Sequence, residues 1–266
     1  MLLGSTGTLV LVVAHPDDDA FGLGGTVALH AHDPTFRFVL VHATDGGAGA
    51  IRDGFPATRD TLGAIRRAEC EAAWRAHGRV PDRHEWLGYP DGAVDQVPRD
   101  ELVDRIAAIL ADEAPDVVAT FGPDGITAHP DHIAIGAATD AAFGRFAATG
   151  RAGFKRLVHR ALPASVFDRW QQQRQQLDLP IFDSTKVYHG RGVPDDQIGI
   201  AVDCRSVADR VVAGILEHRS QLHVMADDPI DVRRLRHIVS REWMVIAWPP
   251  SPAPTVMLTD VFDNLG

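Results

Sequence analysis

The chain predicts an α/β fold, a mostly parallel sheet covered by helices on both faces. Three observations carry that expectation. Thr8–Ala14, Phe36–Ala43 and Asp116–Phe121 are continuous apolar runs of strand length, the pattern of strands buried on both sides. They alternate with helix-patterned stretches, the order of a parallel sheet with crossover helices. Two short runs, His15-Pro16-Asp17-Asp18 and His129-Pro130-Asp131-His132, follow strand-like runs. Sites in such sheets lie outside the carboxyl ends of the strands.

The elements follow in order. After the strand Thr8–Ala14, the small apolar stretch Ala20–His32 reads as a helix, its Gly22-Leu23-Gly24-Gly25 run allowing close packing on the sheet. Phe36–Ala43 is the second strand. Thr58–His77 is helical, with Leu62, Ile65, Glu69, Ala72 and Ala73 at helical spacing. Asp100–Ala114 is a clearer amphipathic helix, buried along Leu102, Ile106, Ile109 and Leu110. Asp116–Phe121 is a strand and His132–Ala148 a small-residue helix. The second half is less regular. Gln171–Gln176 reads as a solvated helix face or a flap, and Val207–Leu222 as an amphipathic helix. The segment around 155–200, with a turn at Arg191–Asp195, predicts a loop wall over the site. Pro249, Pro250, Pro252 and Pro254 read as an extended linker before the apolar tail Val256–Phe262. No further repeat and no boundary interrupts the chain, so 1–266 reads as one domain.

Bulk properties narrow the function. A net charge of −10 with no basic patch argues against nucleic acid as a partner. Leu9–Ala14 is too short for a signal or membrane segment, and Met1–Thr8 carries no Lys or Arg. Only Cys70 and Cys204 occur, which fits a reducing compartment and makes the cytoplasm the default. A small-molecule substrate is the expected partner, with room left for a homo-oligomer.

The two His-Pro-Asp runs carry the chemistry. Each proline pushes the preceding histidine into an extended conformation and lets a helix start behind it. A single such run reads equally well as a helix cap; two at equivalent places make a cleft. A catalytic zinc takes three protein ligands and keeps one position open. His15, Asp18 and His132 supply two imidazoles and a carboxylate, a set that suits one Zn²⁺ per chain, or Fe²⁺. Asp17 is then free as a general base, and His129 and Asp131 remain to donate a proton, polarise a carbonyl or orient a neighbour. The residues thus point to a metal-dependent hydrolase.

Ala14-His15-Pro16-Asp17-Asp18-Asp19 resembles the AHPDDE signature of the LmbE-like, or PIG-L-like, zinc-dependent de-N-acetylases, and Thr127–His132 resembles their second signature. Thr44-Asp45-Gly46-Gly47, Arg66, Glu69, Gly88–Gly92 and His218–Gln221 match in order, so the resemblance spans roughly residues 8 to 222. It implies a Rossmann-like three-layer fold and hydrolysis of an acyl, normally acetyl, group from the amide nitrogen of an amino-sugar-containing molecule. His15, Asp18 and His132 match the family's metal ligands, Asp17 its base acting on a zinc-bound water, and His129 its electrostatic or acid partner oriented by Asp131. Arg66 and Asp91 fall where some members meet sugar hydroxyls. Asp19 departs from the usual Glu, and Thr127 stands where some members carry a tyrosine thought to help the oxyanion.

Other readings compete. A thiol conjugate or a glycosylated natural product could replace the simple amino sugar. A non-catalytic metal- or nucleotide-binding protein is a further alternative, but Gly22–Gly25 does not fit G-x-G-x-x-G and follows acidic groups where a pyrophosphate would sit. His30, His32 and His42 read as structural or exposed. Cys70, between Glu69 and Glu71, reads as no nucleophile. His218–Gln221 reads either as support for the site or as a helix end.

Overall fold

The computed structural model describes residues 7–225, 229–250 and 256–265. Its sheet has seven strands: β1 (Thr8–Val13), β2 (Arg37–His42), β3 (Arg83–Trp86), β4 (Val117–Phe121), β5 (Arg156–Ala161), β6 (Ile198–Asp203) and β7 (Arg241–Trp248). The spatial order is β3-β2-β1-β4-β5-β7-β6. The first five strands pair in parallel, and β7 runs antiparallel between β5 and β6. The three apolar runs form β1, β2 and β4, at the heart of the sheet, where both faces are covered.

Two helical layers flank the sheet. In one, α1 (Asp18–Leu29), α2 (Arg59–His77), α7 (Ala208–Glu217) and α9 (Val232–Ile238) pack together; in the other, α3 (Arg99–Glu113) packs on α5 (Pro130–Ala147). The short α4 (Gly125–Ala128), α6 (Ala164–Gln176) and the short α8 (Leu222–Met225) complete the described α-helices. No helix among the described residues is long and apolar enough to cross a membrane.

Local chemistry sets several boundaries. Pro130 opens α5 where its missing N–H costs nothing, and His129 Nδ1 accepts the Asp131 N–H as an N-cap. At the other end of α2, Gly78 takes the left-handed conformation (φ 83°) that closes a helix. The first helix starts at Asp18, two residues before the apolar stretch, and is interrupted at Leu23 (φ −143°, ψ 21°). The glycines there do allow close packing: a Cβ on Gly25 would lie 2.5 Å from Cys204 Sγ and 2.9 Å from Glu242 Oε1. Gln171–Gln176 is the outer end of α6, in which only Phe167 and Arg174 are buried. The amphipathic stretch from Val207 ends at Glu217, and residues 218–221 turn away.

Four strands lay outside the sequence expectation. β3 is a four-residue edge strand, Arg-His-Glu-Trp, with no apolar run. β5 interleaves Arg156, His159 and Arg160, whose side chains find partners elsewhere in the fold or face the site. Arg156 donates to the carbonyls of Val261 and Asp263, and His159 pairs with Asp140. The remaining two, Ile-Gly-Ile-Ala-Val-Asp and Arg-Glu-Trp-Met-Val-Ile-Ala-Trp, form the antiparallel edge. The apolar tail returns to the sheet, Leu258 bridging to Ile200 and Val261 fully buried. The proline linker straddles the boundary: Pro252 and Pro254 lie outside the described residues.

Candidate metal centre and active site

β1 and β4 are neighbours from which the chain leaves in opposite directions, towards β2 and β3 on one side and β5 on the other. A crevice opens at the carboxyl end of such a pair. Both His-Pro-Asp runs reach it. His15 Nδ1 lies 3.2 Å from Asp18 Oδ2, His132 Nε2 lies 3.3 Å from Asp18 Oδ1, and the two imidazole nitrogens are 3.3 Å apart. Three side chains thus converge on one small space, as ligands of a single cation would. The site fits a zinc-class ion on its donor set of two nitrogens and one carboxylate.

The far sides of both rings are already held. His15 Nε2 sits 3.0 Å from Asp91 Oδ1 and 3.2 Å from Asp131 Oδ2, while His132 Nδ1 is 3.0 Å from the Gly125 carbonyl. Such contacts choose the tautomer that presents the other nitrogen to a metal. Phe121, at the end of β4, stacks on His132 with centroids 4.1 Å apart. Burial alone would depress the His15 imidazolium, but its hydrogen bonds to the carboxylates of Asp131, Asp18 and Asp91 outweigh it and hold its pKa well above the ordinary value. Burial likewise opposes ionisation of Asp18, yet His132 and His15 pull its carboxyl well below the usual range. The pocket is therefore built around positive charge.

Asp17 stands outside the ligand triangle. Its backbone is in a strained region (φ 111°), and its Oδ2 accepts from Arg66 Nη2 at 2.9 Å. The same guanidinium donates to the carbonyls of Pro16 and Gly46. Gly46, at φ 70°, admits this approach, since a Cβ there would lie 2.4 Å from Arg66 Nη1. Burial raises the Asp17 carboxyl to about 7; Arg66 opposes the shift and Asp18 adds to it. Asp19 turns the other way, fully buried, accepting from Trp74 Nε1, Cys70 Sγ and the N–H of Asp17.

Some expected roles change. Asp131 does not orient His129: its carboxylate accepts from the N–H groups of Gly92 and Val94 and faces His15 instead. The 88–94 loop is what turns it, by offering two backbone donors. Arg66 and Asp91, expected to meet sugar hydroxyls, are committed to the protein's own groups. Arg66 holds Asp17, and Asp91 accepts from Ala48 N–H while facing His15. His129 stacks on His132 at 4.8 Å and meets His15 edge-on at 4.7 Å. Burial, then His15 and His132, lower its pKa to about 4, so the ring is neutral. With Nδ1 accepting from Asp131 N–H, its proton resides on Nε2.

Two neighbours, Tyr188 and Arg160, escaped sequence reasoning, whereas residues 218–221 were open to two readings, site support or helix end. Tyr188 takes φ 66°, donates its N–H to the Thr127 carbonyl at 2.8 Å and sets its ring edge-on to His129 at 5.0 Å. Arg160, on β5, lies near Asp18 and lines a small cavity with it and Phe121. Ser220 donates from N and Oγ to Glu69, and Gln221 Nε2 donates to the Ala50 carbonyl. The 218–221 turn therefore fastens α2 and the 46–50 loop, which supports the site. No residue pattern signals Tyr188, and Arg160 is one of three basic side chains in β5 with nothing in the pattern to single it out.

The model of the PIG-L family, GlcNAc-PI de-N-acetylase, matches residues 10–143, just over half of the chain. The 1D-myo-inositol 2-acetamido-2-deoxy-alpha-D-glucopyranoside deacetylase 2 of Saccharopolyspora erythraea is 35% identical over 145 residues, 47% of this chain and 52% of its own length. The chain thus spans about half the length of that relative. The enzyme of the same name, without the numeral, from Acidothermus cellulolyticus is 33% identical over 245 residues, 82% of this chain and 80% of its own. Among solved structures, a conserved protein of Thermus thermophilus aligns with a TM-score of 0.61 at 24% identity, covering 93% of this chain and 98% of that one. The N,N'-diacetylchitobiose deacetylase of Pyrococcus horikoshii gives 0.60 at 23%, covering 90% and 83%. A 4-carboxy-2-hydroxymuconate hydratase of Pseudomonas putida also gives 0.60, at 19%, covering 94% and 100%. Fold alone therefore does not select the reaction. With a family model over more than half its length and a relative one-third identical across most of both chains, this chain belongs to the PIG-L family.

Proposed function

We propose that this protein is a metal-dependent hydrolase that removes the acetyl group from the amide nitrogen of an N-acetylated amino sugar. The observation that carries the reading is the convergence of His15, Asp18 and His132 at 3.2–3.3 Å beside a carboxylate outside that triangle, Asp17, held by Arg66. His15, Asp18 and His132 would hold the ion, zinc or ferrous iron. When bound, it supplies Lewis acidity to a water and to the amide carbonyl.

The chain's own groups do the rest. Asp17 takes the proton of the attacking water as the carbon–oxygen bond forms. It then returns that proton to the amine nitrogen as the amide carbon–nitrogen bond breaks, releasing acetate and a free amine. A carboxyl raised to about 7 suits both steps near neutral pH. Arg66 keeps it aimed and partly ionised. Neutral His129 offers its Nε2–H to the developing oxyanion, and Asp131 acts through His15. The wall carrying Tyr188 would bound what lies beyond the acetylated ring. The deacetylase names of the relatives support an N-acetylglucosaminyl-inositol substrate first, with thiol conjugates and glycosylated natural products behind it. Two free, buried cysteines fit a cytoplasmic setting.

The test is release of free amine by metal-loaded protein from a panel. It comprises N-acetylglucosamine, an N-acetylglucosaminyl-inositol, an N-acetylglucosaminyl-malate, a thiol conjugate and a glycosylated natural product. Turnover of one member at least about tenfold above the others is expected for a dedicated enzyme, a gap of about 1.4 kcal/mol in transition-state binding. Cleavage of none would remove the deacetylase reading.

A further inference from the structure

Behind the first triad lies a second cluster of metal-ligating side chains. His42 ends β2, His84 lies on β3 and Cys70 on α2, and one ligand atom from each lies within 4.8 Å of the others. Their arrangement repeats the logic of the first site. His42 Nε2 faces Asp19 Oδ1 at 3.3 Å, as His15 Nε2 faces Asp91 and Asp131. A buried imidazole with a carboxylate on one nitrogen keeps its proton there and presents a lone pair from the other. That lone pair, on His42 Nδ1, points at His84 Nε2 across 2.9 Å. Trp86 stacks on His42 with centroids 4.6 Å apart and fixes the ring.

We propose that His42 Nδ1, His84 Nε2 and Cys70 Sγ form a second cation site, taking one borderline-soft divalent ion of the zinc class. Zinc bonds of about 2.0 Å to nitrogen and 2.3 Å to sulfur put tetrahedral donors about 3.3–3.5 Å apart; the two nitrogens stand at 2.9 Å and the sulfur within 4.8 Å, so side-chain rotations bring the three to that spacing. Mixed nitrogen and sulfur donors select this class over calcium or magnesium. On binding, the Cys70 thiol loses its proton to solvent, and the His84 proton moves from Nε2 to Nδ1. One proton is released per ion, and water takes the fourth position. The complex carries one net positive charge, which Asp19, in contact with both His42 Nε2 and Cys70 Sγ, neutralises. His84 is only partly buried, so its ring is the way in from solvent. The same Asp19 carboxylate accepts the Asp17 N–H at 3.0 Å, so an ion here adjoins the backbone that aims the base.

Cobalt distinguishes the two sites, because the first has no sulfur donor. Metal-free protein titrated with Co²⁺ should show the intense near-ultraviolet thiolate-to-cobalt charge-transfer band, and elemental analysis of zinc-loaded protein should give two ions per chain. Cys70→Ser should lose the band and one ion, and His84→Gln should weaken both. Cys204→Ser should keep band and stoichiometry, since Cys204 lies beside Gly25 and Glu242. His132→Ala should lose the first ion and keep the band, which separates this site from the proposed activity. If Cys70→Ser does not fold, protection of the wild-type Cys70 thiol from a thiol reagent by Zn²⁺ gives the same answer. Wild-type protein with one ion, no band and no protection overturns the proposal.

Discussion

At the start of α1 three consecutive aspartates reach three different sets of partners. Asp18 meets the two ligand imidazoles, Asp17 meets Arg66, and Asp19 meets Trp74, Cys70 and His42. The strained Asp17 backbone makes this divergence, and the Asp19 carboxylate secures it by accepting the Asp17 N–H. Asp17→Asn keeps an oxygen for Arg66 but cannot carry a proton. It should retain metal by elemental analysis while its turnover falls about 10²- to 10⁴-fold, the usual cost of losing a general base. Asp18→Asn should lose the metal. Loss of metal from Asp17→Asn instead would reverse the two roles. The aspartates and the two ligand histidines were legible because each lies within three positions of Pro16 or Pro130. The partner of Asp131 was not: its contact with His15 spans 116 positions and depends on the 88–94 loop.

Among the elements, α1 shows how closely the site depends on packing behind it. Gly25 N–H donates to Glu242 Oε1 at 2.7 Å, and Thr26 donates to Oε2 from both N and Oγ1, so a buried carboxylate on β7 pins the helix. Burial raises the Glu242 carboxyl, and these donors offset part of the shift. Gly25→Ala would drive its Cβ into Cys204 and Glu242, so α1 must lift off the sheet. Overpacking of this kind typically costs about 1–3 kcal/mol. Urea unfolding should show that loss, and metal affinity should fall with it, because Asp18 rides on the same helix. An unchanged midpoint would mean that the neighbours give way at no cost. The glycine run was readable as a packing device, whereas β7 itself was not. Its Arg-Glu-Trp start hides a buried carboxylate that makes sense only opposite α1.

Across the whole molecule, the layer formed by α1, α2 and α7 encloses two neutral imidazoles, His77 and His218. His77 lies between Gly24 and Gly214, whose added Cβ atoms would stand 3.0 Å and 1.9 Å from its ring. Burial lowers both imidazoles from an ordinary value of 6.5 to about 4, although Asp19 pulls the other way. Above pH 6.5 neither the folded nor the unfolded chain holds these protons, and the packing energy is fully present. Between 6.5 and 4 the unfolded chain binds protons that the folded chain refuses, so stability falls as pH falls through that window. Each imidazole can contribute at most about 3 kcal/mol to that loss. Asp17 and Glu242, raised by burial, act in the opposite direction, so the wild-type profile alone is ambiguous. The informative quantity is the difference between wild type and His77→Asn, measured by urea unfolding at pH 7 and pH 5. The variant should lose less stability between the two pH values than the wild type does. Equal losses would mean that His77 is already protonated in the fold, and that Asp19 overcomes burial.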